Sequence, residues 1–504
     1  MRSVSAYRGL TLIATGTLVA LALASAEIVP TAQARSGGGD GSGGRAVAHH
    51  AGGARVGGAG PDAKLYRPTV KGTPQQAGEP TLGVTNKGTV FYVTLTGSPD
   101  IIRSENNGRS WKTVSPTLPT GSKAHRVSFD PYVYVDDAEG ADRIFTIDLT
   151  VACSYLSFSD DEGKSWITNP LACGRPVNDH QTLFSGPPAL SLTAVYPNVV
   201  YYCWNDVGSS SCSKSLDGGL TFVDTGSPAF QGIDPLAEAP GYDPENRFDV
   251  GSYCGGLHGH GHVGQDGTVY LPKGHCGQPW LAISTTEGAT WERIQVAKNG
   301  VAHHEASVAT DRKGNIYYAW SARDRLIYLA ISKNGGKSWT KPTMVGAPGV
   351  NETNLPSLDV GAPGQVAIAY MGTENSPGRP FPKNTGTTTN PDCFVAQLPC
   401  PTPPEYKDTT WHGYMTITKN ALDKNPTFFS TTVNDQKDPL KRGACGPGRC
   451  GLDILDFIDI TIAPDGQVWS SWVDACTVAC SGPKGEEDSG SEAVVGRLVP
   501  NVFR

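Results

Sequence analysis

Beyond residue 24 the 504-residue chain has no apolar stretch approaching the roughly 20 residues a membrane-spanning helix needs, so the mature chain offers no candidate span. It lacks an excess of basic residues: 41 Lys and Arg stand against 48 Asp and Glu, a net charge of -7, and nucleic acid is not an expected partner. No Cys-x-x-Cys pair occurs, which removes the usual structural zinc spacing. No Gly-x-Ser-x-Gly elbow is present, and the glycines from Gly37 to Gly44 precede no strand-to-helix pattern. A serine-hydrolase elbow and a phosphate loop are thereby both set aside.

At the N-terminus, Arg2 and Arg8 precede the apolar run Leu10 to Ala24, with small-residue sites ending at Ala26 or Ala34. This pattern predicts a secretory signal over residues 1–34 and hence a secreted, extracellular protein. Residues 35–62 are dominated by Gly, Ala, Ser and Arg, have no apolar period, and are expected to form a flexible leader containing His49 and His50. Twelve cysteines follow, clustered as Cys153/Cys173, Cys203/Cys212, Cys254/Cys276, Cys393/Cys400, Cys445/Cys450 and Cys476/Cys480. An oxidised, disulfide-braced domain is the natural reading. Neighbour pairing is expected, with a crosswise arrangement of the last four left open.

An eight-residue motif recurs five times in residues 63–504. The copies are Ser104-Glu105-Asn106-Asn107-Gly108-Arg109-Ser110-Trp111, then Ser159 to Trp166, Ser215 to Phe222, Ser284 to Trp291, and Ser332 to Trp339. In each, an Asp or Asn side chain can accept backbone N–H bonds inside a turn, and Gly supplies a positive φ at little steric cost. The terminal aromatic can bury a flat surface against neighbouring strands. Thr286 is the one departure at the Asp position. The motif resembles the Asp box, Ser-x-Asp-x-Gly-x-Thr-Trp, of the sialidase-like (BNR-repeat) superfamily.

Before each box runs an apolar-alternating strand, a Gly turn and a second strand rich in Val, Ile and Tyr. Glu79 to Tyr92 aligns with Glu305 to Tyr318, and further copies start near Asp130, His180, His258, Leu355 and Phe457. The chain is therefore expected to be all-β, a β-propeller of seven blades, with six as the alternative. The last unit ends without a box or fourth strand, so residues near Tyr66 to Val70 are expected to supply its outer strand and close the ring. The sixth unit has a degraded box around Thr418 to Thr427 and a Pro-rich insertion from about Pro377 to Pro404. Trp320, Trp469 and Trp472 lie in predicted strands and read as core.

In a ring of blades the first strand of each lines the axis, so its N-terminal end becomes one position on a shared rim. Those positions read Glu79, Asp130, Asp179-His180, His258, His304-Glu305, Leu355 and Asp456. Histidines gather there too, and the alternation His258-Gly259-His260-Gly261-His262 would put three imidazoles on one face of an extended segment. With His180 and His304 they form a candidate site for zinc or a similar divalent metal. The bland alternative is imidazoles that bond loop backbone. The carboxylates Glu79, Asp130, Glu305 and Asp456 are the candidates for a glycosidase pair, one acid and one nucleophile or base. Each taken alone also fits a backbone cap.

In the sialidase-like family the boxes sit on outer-strand hairpins, on the face away from the active site. The resemblance therefore implies architecture, with glycan as the ligand class. Sialidases also share an early Phe-Arg-Ile-Pro motif and an arginine triad. This chain has no such motif, and its early arginines Arg67, Arg103 and Arg126 lie in other contexts, so no sialidase residue transfers. The expected function is a secreted, monomeric, sialidase-like protein that binds and hydrolyses glycans at a central funnel. The alternatives are a non-catalytic propeller gripping a cell-wall or cell-surface polymer, and a metal-dependent lyase or hydrolase using the His-rich rim.

Overall fold

The structure is a computed structural model, and it describes residues 55–95, 98–124, 128, 130–138, 142–149, 154–171, 178–193, 195–206, 209–231, 249–250, 253–254, 257–302, 305–377, 406–443, 445, 454, 456–476 and 491–504. Strands make up nearly all of its regular structure, and seven antiparallel sheets form the blades of a seven-bladed β-propeller. The innermost strands are Leu82–Val84, Tyr132–Asp136, Asp179–Gly186, His262–Val263, Ala306–Thr310, Glu352–Val360 and Asp459–Ile462. Each packs against the next, and the seventh packs back against the first.

Both chain ends take part in closure. Asp62–Tyr66 is the outer strand of blade 7, antiparallel to Glu492–Val499, with Asp62 opposite Val499 and Tyr66 opposite Val495. The expected segment, Tyr66 to Val70, is thus about one strand too far along. Thr69–Val70 instead pairs with Thr73–Pro74, because Pro68 carries no N–H to continue a ladder. Arg67 fastens the junction: its guanidinium lies 2.5 Å from Asp474 and 3.3 Å from Glu492. Arg55–Ala59, inside the stretch read as a leader, adds a parallel strand to the outer edge of blade 6 beside Thr427–Thr432.

The boxes adopt one turn. The first Ser hydroxyl accepts the Gly N–H at 2.9 Å in Ser104–Gly108 and 2.8 Å in Ser159–Gly163. The Asp161 carboxylate accepts the Ser165 N–H at 2.8 Å, and Asp217 accepts that of Thr221 at 2.9 Å. Where Thr286 replaces Asp, its hydroxyl accepts the Thr290 N–H at the same 2.9 Å, so the turn survives. The degraded box of blade 6 keeps its first half, with Asn420 bonded to Thr418 and accepting the Thr427 N–H at 3.0 Å. All these turns join third and fourth strands, so they share one end of the ring, opposite the starts of the inner strands.

Cross-blade packing supplies the core. Trp320, Trp469 and Trp472 are buried, and the Tyr92 hydroxyl donates to the Trp472 carbonyl at 2.9 Å, tying blade 1 to blade 7. Cys203 and Cys212 stand opposite each other on adjacent strands and form a disulfide, as neighbour pairing predicts. Cys276, Cys445 and Cys476 are also disulfide-bonded. The pairs Cys153/Cys173 and Cys393/Cys400 lie outside the described residues.

Gly288 has φ of 84°, and a Cβ there would stand 2.7 Å from Thr225; Gly314 has φ of 74° and open space around it. Gly314→Ala is expected to cost about 1–2 kcal/mol from the left-handed backbone alone. Gly288→Ala should add about 1–3 kcal/mol of overpacking. Thermal unfolding midpoints of the two variants check this, and equal midpoints would contradict the packing argument.

Candidate functional site

The inner strands do not all begin regularly. Glu79, His180 and Leu355 have φ of 51°, 49° and 53°, left-handed values that a non-glycine residue adopts only where its surroundings enforce it. Two of them sit in irregular pairings: the register shifts between Asp179 and Thr182 and again between Asn354 and Ser357. At His180 the cause is visible. The Asp130 carboxylate of blade 2 accepts the His180 N–H at 2.9 Å, and the Gln181 side-chain amide donates to the Asp130 carbonyl. A bulge of this kind re-aims a side chain.

The His180 ring consequently meets side chains from distant blades. Its Nε2 lies 3.4 Å from Glu305 Oε1, and its ring centroid is 5.9 Å from that of His258 and 5.1 Å from that of Phe457. All three polar partners are buried: His180 is 1 % exposed, His258 0 % and Glu305 3 %. His258 places its Nδ1 2.8 Å from the Gly259 carbonyl, so Nδ1 carries the proton and Nε2 the lone pair. Burial pushes its pKa down to about 3, which keeps the ring neutral.

Below this cluster the axis is filled. His260 lies edge-on to Phe457 at 5.0 Å and to Tyr132 at 5.2 Å, joining blades 4, 7 and 2. Its Nδ1 is 3.9 Å from Asp459 Oδ1, and burial lowers its pKa to about 4. Asp459 accepts the N–H groups of Leu82 and Ile460 at 3.2 and 2.9 Å, yet burial outweighs these bonds and pushes its pKa up to about 7. The carboxyl is therefore divided between its two protonation states near neutrality. Its side chain is 16 % exposed and that of His260 20 %, the most open polar groups along the axis named here.

The three alternating histidines do not share one face. His258 turns to His180, His260 to the axis, and His262 to blade 5, where its Nε2 accepts the Thr310 N–H at 3.1 Å. The period-two expectation is corrected because only His262–Val263 of that segment is regular strand. The intervening glycines answer a packing need: a side chain on Gly259 would strike the Ala306 carbonyl, and one on Gly261 the Phe184 ring. Among the described residues no group of three or more His, Cys, Asp or Glu side chains is arranged to hold a metal ion. His304 lies outside those residues.

Of the four carboxylates singled out, two hold backbone. Glu79 Oε1 accepts the Asp456 N–H at 3.1 Å, and Asp130 holds His180 as described. Glu305 is drawn against the His180 imidazole, and Asp456 is buried beside Glu79. Sequence reasoning passed over Tyr132, Phe457 and Asp459. A signal existed for one of them: Tyr132, like His260, stands two residues after the rim position of its repeat. A buried imidazole–carboxylate pair of this kind can pass a proton to or from a bound ligand.

No family model matches the chain, and no curated protein matches it. Among solved structures it is similar to a protein of unknown function from Dyadobacter fermentans, at 13% identity and TM-score 0.40, over 88% of this chain and 98% of that one. It is also similar to the phage phi92 endosialidase, at 12% identity and TM-score 0.39, over 88% of this chain and 71% of that one. The Dos1 propeller matches at 7% identity and TM-score 0.41, over 88% of this chain and 83% of that one.

The Asp459 pKa lies above its unfolded value of about 3.9, so the stability it contributes is present below that value and is lost as pH rises through about 7. Asp459→Asn should therefore gain on the wild type by about 1 kcal/mol or more between pH 5 and pH 8. Melting temperatures of both proteins across that range are the check. A gap that does not change with pH would contradict it.

Proposed function

We propose that the chain is an exported glycan-binding propeller that hydrolyses a glycosidic bond at its axial face. The observation that carries the reading is the His180–Glu305 pair, 3.4 Å apart and contributed by blades 3 and 5. His180 is held against Glu305 by a left-handed backbone that Asp130 enforces, the kind of local cost a fold retains where geometry matters. Export is supported by the disulfides and by the basic, apolar N-terminal pattern. Glycan as the ligand class is supported by the five boxes and their resemblance to sialidase-like proteins.

In this reading Glu305 and His180 form the proton-transfer unit. Glycoside cleavage needs one group that protonates the leaving oxygen and one carboxylate that stays ionised. A carboxyl with its pKa near 7, such as Asp459, meets the first requirement in kind. The burial of His180, His258 and Glu305 favours a second reading, in which the same face grips a polymer without turnover.

A panel of fluorogenic glycosides, together with binding to immobilised glycans, tests both. Turnover of at least one glycoside is expected, falling about 10²–10⁴-fold in Glu305→Gln and in His180→Ala. Glycan binding without turnover, unchanged in Glu305→Gln, would leave only the second reading. Neither turnover nor binding would overturn both.

A further inference from the structure

Six of the seven blades end in an outer strand ill suited to pairing with another chain. Lys112–Thr113, Val223–Asp224 and Thr343–Met344 are two residues long, and Ile167–Leu171 contains Pro170. Glu292–Gln295 and Asp62–Tyr66 carry charges of both signs. Short length, proline and charge are the means by which a sheet edge is kept from recruiting a partner. Blade 6 has none of them. Its outer strand, Thr427–Thr432, reads Thr-Phe-Phe-Ser-Thr-Thr, six residues without charge, proline or glycine. Phe428 is buried and Phe429 is 41 % exposed. Segments of about six residues with this composition pair readily with copies of themselves.

Among the described residues this is also the one blade whose outer strand is covered by a further strand. Arg55–Ala59 lies parallel to it, with Arg55 opposite Thr427 and Ala59 opposite Ser430. The next N–H, that of Gly60, donates to the Ser430 carbonyl at 2.9 Å. That carbonyl is one the edge would otherwise present to another chain. Gly60 fits because it has no side chain: a Cβ there would stand 3.0 Å from the Ser430 carbonyl carbon.

The arm has little β preference of its own. Its register shifts between Val56 and Ala59, where Gly57 and Gly58 stand, and glycine is disfavoured in strands. Placement holds it instead. Only Gly60 and Pro61 separate it from Asp62–Tyr66, which is fixed in blade 7. A tether that short keeps its segment at an effective concentration of about millimolar, far above that of a second copy in dilute solution.

We propose that Arg55–Ala59 is a guard strand, which occupies the outer edge of blade 6 and so keeps a second copy of this chain from pairing there. With the arm displaced, two Thr427–Thr432 edges can pair antiparallel about a two-fold axis, and no charge on either strand opposes them. The edge lies on the outer rim of the ring, and its pairing does not depend on any function assigned to His180 and Glu305.

Two measurements on the full chain test it. In the wild type the Ser430 amide, opposite Ala59, should exchange its hydrogen at least about tenfold more slowly than in an unstructured chain. An unprotected Ser430 amide would overturn the proposal. The second measurement is sedimentation velocity of variants. Gly60→Pro removes the bonded N–H and sets a ring against Ser430, so it should release the arm. The wild type should be a monomer at every concentration and Gly60→Pro a concentration-dependent dimer. Adding Phe429→Lys, at an exposed position, should return Gly60→Pro to a monomer, because like charges on the two edges then oppose pairing. Where Gly60→Pro does not fold, Gly60→Val, which keeps the N–H but adds the clashing side chain, takes its place with the same expected outcomes. A folded variant that stays monomeric at its highest soluble concentration would overturn the proposal. So would association that Phe429→Lys does not relieve, or a wild type that dimerises as readily as the variant.

Discussion

The whole arrangement depends on the pairing of Asp62–Tyr66 with Glu492–Val499. An open array of blades would leave two sheet edges facing water, each a template for unwanted pairing. Here the two ends of the chain share one sheet, so the ring closes through ordinary ladder hydrogen bonds, each worth about 1 kcal/mol net. Arg67, placed just after the closing strand, adds a charged fastening to the buried Asp474. Only because the ring is closed are seven inner strands held at fixed angles around one axis. The contacts between blades 2, 4 and 7 at Tyr132, His260 and Phe457 follow from that closure.

Closure explains why the two faces differ. On one, the five boxes and the degraded box of blade 6 lead into the outer strands of blades 1 to 6 through turns whose hydroxyl, carboxylate and glycine requirements are nearly self-contained. On the other, strand starts from separate blades compete for the same small volume. The competition is settled by left-handed residues and bulges at His180 and Leu355, and by Asp130 and Glu79, which spend their carboxylates on backbone N–H groups of neighbouring blades. Gathered in that volume are a neutral His258, the His180–Glu305 pair and, deeper, an Asp459 carboxyl whose pKa burial raises to about 7.

How much of this was legible in the sequence depends on the range of the interaction involved. The boxes are local, so Asp161, Asp217 and even the substituted Thr286 behave as their residue types require. The seven inner strands repeat, so they align by eye. The closing strand was placed one strand too late because the cue, a missing fourth strand in the last unit, says that a partner exists without fixing its register. The alternation of His258, His260 and His262 misled because period two holds only in a regular strand, and most of that segment is not one. The meeting of His180 with Glu305 was anticipated only as proximity on a rim. The bulge that aims one at the other is a tertiary effect of Asp130 and leaves no mark in the local sequence.

A double-mutant cycle on His180 and Glu305, read in unfolding free energy, addresses the central claim most directly. If the imidazole and the carboxylate meet on the axis as described, His180→Ala and Glu305→Gln should be non-additive, with a coupling of about 0.5–3 kcal/mol. Additive effects within about 0.3–0.5 kcal/mol would mean that the two side chains do not sense each other, and the axial cluster would have to be abandoned.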